Sequence, residues 1–178
     1  MEDRKKLIQE KIDMEEHCET VQLGGIKQLV WDVLVHEKRF LPGDIEVDPK
    51  FTIKLSDGEA EVSIDFIITL PVASFAVIKC STSAIESWER YVTAFARAAK
   101  EYQIPYAMVT DGERAKIIDV VKSPLTAESI NDFFSRDQAL EKLKAFEKTP
   151  CSAKRLEKEK RIIYAFEGIK CPPAKPGE

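Results

Sequence analysis

Long hydrophobic runs are missing from this sequence of 178 residues. Its apolar stretches, such as Phe66–Leu70 and Phe75–Ile78, stop far short of the roughly 20 residues that a membrane span requires. The opening Met1-Glu2-Asp3-Arg4-Lys5-Lys6 carries charge with no apolar segment behind it, so no signal peptide is expected and the expected location is cytoplasmic. Soft ligands are sparse. Cys18, Cys80, Cys151 and Cys171 form no C-x-x-C pair; His17 has only the adjacent Cys18 near it in sequence, and His36 has no soft ligand nearby. That spacing argues against a structural zinc site and against a disulfide framework, and favours small buried thiols in a reduced protein. A basic surplus is lacking too: 27 Lys and Arg stand against 31 Asp and Glu, a net charge of −4. A nonspecific nucleic-acid coat therefore gains no support, although a local basic cleft stays open. No G-x-G-x-x-G or Walker pattern occurs, and Gly24-Gly25 is too short for a phosphate loop. Two distant histidines assemble no Ser-His-Asp or Cys-His arrangement.

What is present reads as a folded α/β chain. Hydrophobic residues make up 44% and charged residues 33%, which excludes a disordered chain or a fibre. At 20.2 kDa a single domain is expected. Residues 1–20 are strongly charged around a thin stripe of Leu7, Ile8, Ile12 and Met14, which predicts a helix packed on one side. Gly24-Gly25 predicts a break. Ile26, Leu29, Val30, Val33 and Leu34 then recur with helical spacing until Leu41-Pro42-Gly43-Asp44. Beyond it the period becomes two, predicting strands over Ile45–Val47, Phe51–Leu55, Val62–Leu70 and Ser74–Cys80, with a hairpin turn at Ser56-Asp57-Gly58-Glu59. Up to the long helix that follows, these stretches read as three strands in a meander. Ala84 to Tyr102 predicts one long helix, and Tyr106–Thr110 with Ala115–Val121 a further strand pair. The rest predicts helices, with a cap near Thr126, then Gln138–Phe146 and Ala153–Phe166, and a frayed end from Cys171. Expected boundaries are an N-terminal helical extension over 1–23, a core over 24–122 and a C-terminal helical extension over 123–178. The expected fold is a mixed central sheet flanked by helices.

Two charges interrupt the strand pattern. Asp65 lies within Ser63-Ile64-Asp65-Phe66, and Lys79 closes Phe75-Ala76-Val77-Ile78-Lys79. If residues 71–73 form the turn, Leu70 faces Ser74 and Asp65 faces Lys79 across the strands, on one side of the sheet. Side chains so placed meet, whereas a slip of one residue would put them on opposite faces. Two readings stand open: an ion pair at a sheet end without function, or an acid–lysine site that binds a divalent metal and activates water.

Four segments, Gly43-Asp44-Ile45-Glu46-Val47, Ser63-Ile64-Asp65-Phe66-Ile67-Ile68, Ala76-Val77-Ile78-Lys79 and Pro105-Tyr106-Ala107-Met108-Val109-Thr110-Asp111-Gly112, follow one another as they do in a known family. Over roughly Ile26 to Val121 the chain resembles the N-terminal nuclease domain of type I restriction enzyme R subunits and its stand-alone relatives, of the PD-(D/E)XK, restriction-endonuclease-like superfamily. The resemblance implies a restriction-endonuclease-like α/β fold and a DNA-directed role. It implies catalytic Asp65 and Lys79, with Mg²⁺ held by Asp65 and the Ile78 carbonyl if the site is active, and DNA, a restriction-system protein or another protein as partner. The departures are equally specific. Val77 stands where the family has its second acidic metal ligand, and the family's Gln-x-x-x-Tyr aligns with Tyr91–Phe95. Gln28 and Asp32 are the nearest candidates for the acid of the first helix. Glu86 or Glu89 could supply the missing carboxylate from the next helix, or simply complement the helix dipole. Arg90 and Arg97, seven apart, share a helix face that could contact a phosphate backbone. The losses imply impaired cleavage or a non-catalytic interaction module. Lys154, Arg155, Lys158, Lys160 and Arg161, interleaved with Glu157 and Glu159, read as a solvated face.

Overall fold

The first helix runs without interruption through the two glycines. In the computed structural model, which describes residues 2–122 and 127–170, α1 spans Glu2–Asp32 and ends in a π-helical turn over Val33–Glu37, closed by the Lys38 N–H on the Val33 carbonyl at 2.9 Å. The expected break is corrected by simple energetics. A helical glycine costs about 1 kcal/mol relative to alanine, and Leu23, Ile26 and Val30 on either side offset that cost by packing on the core. The expected one-sided packing of the first segment is corrected as well: residues 4–22 are almost all exposed, Leu7 and Met14 included.

The sheet holds five strands: β1 (Ile45–Val47), β4 (Phe66–Thr69), β5 (Ser74–Cys80), β6 (Tyr106–Thr110) and β7 (Ala115–Asp119), side by side in the order given. All neighbours are antiparallel except β5 and β6, which run parallel across the crossover helix α2, Glu89–Ala98. This is the mixed α/β architecture expected from the alternating pattern. The strands ahead of α2 do not run as one meander, however, although β4 and β5 are antiparallel neighbours. β2 (Lys50–Leu55) and β3 (Gly58–Ser63) pair only with each other, and β1 instead lies against β4. The single strand expected over Val62–Leu70 is therefore two, parted at Ile64-Asp65. The burial pattern explains the division. In β3 only Val62 is fully buried, whereas from Ile64 to Ile68 every residue is buried, because β4 is enclosed by strands on both edges and helices on both faces.

Alternate residues of β4 and β5 feed two cores. Phe66, Ile68, Ala76 and Ile78 pack with α1 residues and with Ala139 and Leu143 of α3, Arg136–Lys144. Ile67 and Val77 pack on the opposite face with Tyr91, Val92 and Phe95 of α2 and Ile163 of α4, Ala153–Lys170. Helix α2 is shorter than the predicted Ala84–Tyr102 helix. A 3-10 turn over Ile85–Trp88 precedes it, and Trp88, at φ −102° and ψ −4°, sits outside regular helix geometry. The expected cap at Thr126 and frayed end at 171–176 lie outside the described residues; among those described, Ser129 and Ser135 cap the helical turns that follow. No described helix is long and apolar enough to cross a membrane.

A Cβ atom added at Gly24 or Gly25 would meet nothing within 4 Å. The double substitution Gly24→Ala/Gly25→Ala should therefore raise stability by about 1–2 kcal/mol in urea denaturation followed by circular dichroism. A loss of stability would contradict a continuous α1.

Candidate functional site

Asp65 sits just before β4, at the rim of the sheet where the layer of α1 meets the layer of α2. Opposite it, β4 and β5 pair Phe66 with Ile78, Ile67 with Val77 and Ile68 with Ala76. Continued by one residue, that register sets Asp65 across from Lys79, as the sequence spacing predicts. Leu70 does not face Ser74, though: a bulge pairs Thr69 with Ser74, and the Leu70 N–H closes the turn on the Ala73 carbonyl at 3.0 Å. The turn is tighter than expected, and the bulge restores the register.

The Lys79 ammonium donates to Asp65 Oδ2 at 3.0 Å and to the Cys80 carbonyl at 2.7 Å. The Cys80 N–H donates to the same Oδ2 at 2.7 Å, replacing a ladder bond that no strand residue supplies there. On the other side, Lys27 of α1 reaches within 3.6 Å of Asp65 Oδ1 and hydrogen-bonds Asp48. Asp48 lies in the left-handed region at φ 48°, and its N–H donates to the Asp65 carbonyl at 3.0 Å. The indole of Trp88 covers the Lys79 ammonium at 5.1 Å, a cation–π contact that helps a buried cation. Asp65 is 7% exposed and Lys79 8%, so both charges are removed from water and held by mutual contact. Two lysines and two aspartates thus form a balanced tetrad.

Its field moves the neighbouring groups. Burial alone would lower the Lys27 pKa, but the hydrogen bond it donates to Asp48 and the charges of Asp65 and Asp48 hold it above the ordinary 10.5. Burial, reinforced by the charge of Asp65, pushes the Cys80 thiol well up, which favours its neutral form.

The remaining sequence-singled residues lie elsewhere. Val77 points to the same face as Lys79 and is fully buried against the α2 core. Ile78 lies opposite Phe66 of β4 and Met108 of β6 and packs into the core on the α1 side of the sheet. Glu86 is exposed on the 3-10 turn, and its charge acts on Arg114 and Lys116. Glu89 pairs with Lys116 at 2.6 Å. Gln28 hydrogen-bonds Asp32 at 3.0 Å on the exposed side of α1. The Tyr91 hydroxyl donates to Glu167 at 2.6 Å and lies 3.2 Å from the Ser63 carbonyl. Arg90 and Arg97 do share a face and converge on Glu159 of α4. Glu159 is thus 1% exposed, not part of the solvated face that its charged neighbours suggest.

Measured against Mg²⁺, this donor set is poor. Mg²⁺ demands octahedral oxygen ligands and usually takes one or two carboxylates with waters. Among the described residues Asp65 is the one carboxylate ion-paired with Lys79, and its oxygens already serve an amide and two ammonium groups. Among the described residues no group of three or more His, Cys, Asp and Glu is arranged to hold a metal ion. Sequence reading found Asp65 and Lys79 but missed Lys27 and Asp48. The Asp48-Pro49 turn dipeptide could have flagged Asp48. Lys27 had no signal, because its reach depends on a helix that the glycines seemed to end.

A family model described as the type I restriction enzyme R protein N terminus matches residues 25–133, more than half of the chain. The matched span includes all five strands of the main sheet. No curated protein and no solved structure matches the chain.

Two outcomes follow for the tetrad. Asp65→Ala should cost about 3–5 kcal/mol in urea denaturation, because it strands the Lys79 charge, and adding Lys79→Met should recover part of the loss. A cost under about 1 kcal/mol would mean that the pair does not hold β4 to β5. Lys27 has a raised folded-state pKa, so its contribution to stability is complete below about 10.5 and disappears as pH climbs through the elevated value. The stability gap between wild type and Lys27→Met should stay level from pH 7 to about 10 and narrow above; a gap that widens at high pH would reverse the assignment.

Proposed function

The chain belongs to the type I restriction enzyme R protein N-terminus family, and from that membership we propose a DNA-directed, restriction-endonuclease-like domain of PD-(D/E)XK descent that has lost cleavage. Asp65 and Lys79 are then the remnant of the catalytic centre, in a cytoplasmic protein that works with DNA and a restriction-system partner. The observation that carries this reading is the balance of the tetrad. A hydrolytic site presents carboxylates to a cation and leaves its lysine free for the reacting water or phosphate. Here Lys79 is committed to Asp65, the Cys80 carbonyl and the Trp88 ring, and Val77 supplies packing where an acid would add charge and a ligand. Because the residues present do not fit Mg²⁺, no metal-dependent step is assigned to them. What they do is hold the rim of the sheet in one register, with Lys27 and Trp31 of α1 beside a surface cleft of about 430 Å³. The net charge of −4 favours a protein partner for the wider surface.

Supercoiled plasmid incubated with wild type or Lys79→Ala, in Mg²⁺ or Mn²⁺, should stay uncut in both cases, with folding of each checked by circular dichroism. Nicking by wild type that disappears in Lys79→Ala would establish catalysis and overturn the reading. Val77→Glu returns one acid to the face of Lys79 and should raise Mn²⁺ affinity at least tenfold in calorimetric titration; an unchanged affinity in the folded variant would detach Asp65 and Lys79 from any ancestral metal site.

A further inference from the structure

A second charged cluster lies towards the other end of the sheet. Lys79 aligns with Val109 of β6 and through it with Lys116 of β7. The end of β7 and the residues that follow it, Ile118 to Lys122, form one wall of a cleft of about 600 Å³, whose other walls are α2 and the start of α4. We propose that this cleft binds a phosphate monoester. The inference is independent of the reading given to Asp65 and Lys79.

Glu159 is buried beside the cleft and is ion-paired with three guanidinium groups, Arg90 at 2.8 Å, Arg97 at 2.9 Å and Arg155 at 3.5 Å; among the described residues only Arg97 donates it a hydrogen bond, to Oε1, and its Oε2 has no aligned donor. Arg97 also donates to the Val120 carbonyl at 3.0 Å, yet its buried Nε meets no acceptor. Each guanidinium carries a fork of donors that matches carboxylate or phosphate oxygens. One carboxylate and one carbonyl cannot satisfy three forks. Arg90 and Arg155 keep about half of their side chains in solvent, 49% and 53%, where a ligand can reach them.

Charge sets the ligand class. Arg90, Arg97, Lys122 and Arg155 line the cleft, and Glu89 on its wall is already neutralised by Lys116. Four cations against Asp119 and Glu159 leave two positive charges uncompensated. A phosphate monoester carries about −1.5 to −2 at neutral pH, which cancels that surplus, whereas a phosphodiester with one charge does not. The start of α4 points the same way. Its first turn contains no acid and instead carries Lys154 and Arg155, where the helix dipole disfavours cations. A dianion in the cleft would relieve both terms. The monoester could belong to a small free phosphate or to the phosphorylated end of a nucleic-acid strand.

Calorimetric titration of the full chain separates these outcomes, with inorganic phosphate as one titrant and a short oligonucleotide, with or without a 5′-phosphate, as the other. Wild type should bind inorganic phosphate, and Arg90→Gln and Arg155→Gln should each weaken binding at least tenfold. Lys79→Ala should bind as wild type does, which keeps this site separate from the sheet rim. A preference for the phosphorylated oligonucleotide over inorganic phosphate assigns the monoester to a strand end; the reverse preference assigns it to a small molecule. A rise in melting temperature with phosphate, against a chloride control of equal ionic strength, provides a readout in wild type alone. No heat and no melting shift with phosphate in wild type, equal binding of both oligonucleotides at an affinity above that of inorganic phosphate, or undiminished binding in a folded Arg155→Gln would each overturn the proposal.

Discussion

One carboxylate joins three parts of this chain. Asp65 accepts the Cys80 amide from β5, holds the Lys79 ammonium beside it, and faces Lys27 from α1 on its other oxygen. Such a group is costly to bury and is tolerated only when its lone pairs are occupied. Its position at the division between β3 and β4 gives it a consequence beyond local pairing. The chain leaves the small β2–β3 hairpin there and enters the central sheet, and the register of β4 against β5 is fixed where both faces become buried. A slip of one residue would turn Ile67 and Val77 out of the α2 core as well as separating Asp65 from Lys79.

The two charged clusters share an architecture and differ in balance. At the rim, Lys27 and Lys79 stand against Asp48 and Asp65, and the charges cancel. Under α2 and α4, Glu159 stands against three arginines, and they do not cancel. A balanced buried cluster specifies geometry without attracting a counter-ion, while an unbalanced one next to solvent is an electrostatic invitation to an anion. In this member of the family the rim carboxylate Asp65 is held by two lysines, and the arginines gathered on Glu159 lie in a separate cluster under α2 and α4.

Much of the fold was legible because β4 and β5 announce themselves by composition and the spacing between Asp65 and Lys79 encodes their register. The strand pair β6–β7 was legible for the same reason. The division at Ile64-Asp65 was harder, since a half-buried strand running into a fully buried one looks continuous in an alternating pattern. Gly24-Gly25 misled in the opposite way: local propensity argued for a break, and packing of Leu23, Ile26 and Val30 outweighed it. Glu159 read as one charge among many on α4, because nothing local distinguishes a glutamate that will be buried by arginines from a helix some 60 residues earlier. Contacts of that kind, like the reach of Lys27 to Asp65, exist only once the layers are assembled.

The central claim is that Asp65 is occupied by lysines and not by a metal ion. It is tested most directly by a crystal structure of the protein grown with Mn²⁺ in excess, read by anomalous scattering. The expected result is no anomalous peak within coordination distance of Asp65, with the Lys79 ammonium still near 3.0 Å from its carboxylate. A peak ligated by Asp65 and the Ile78 carbonyl, with Lys79 swung away, would contradict the claim.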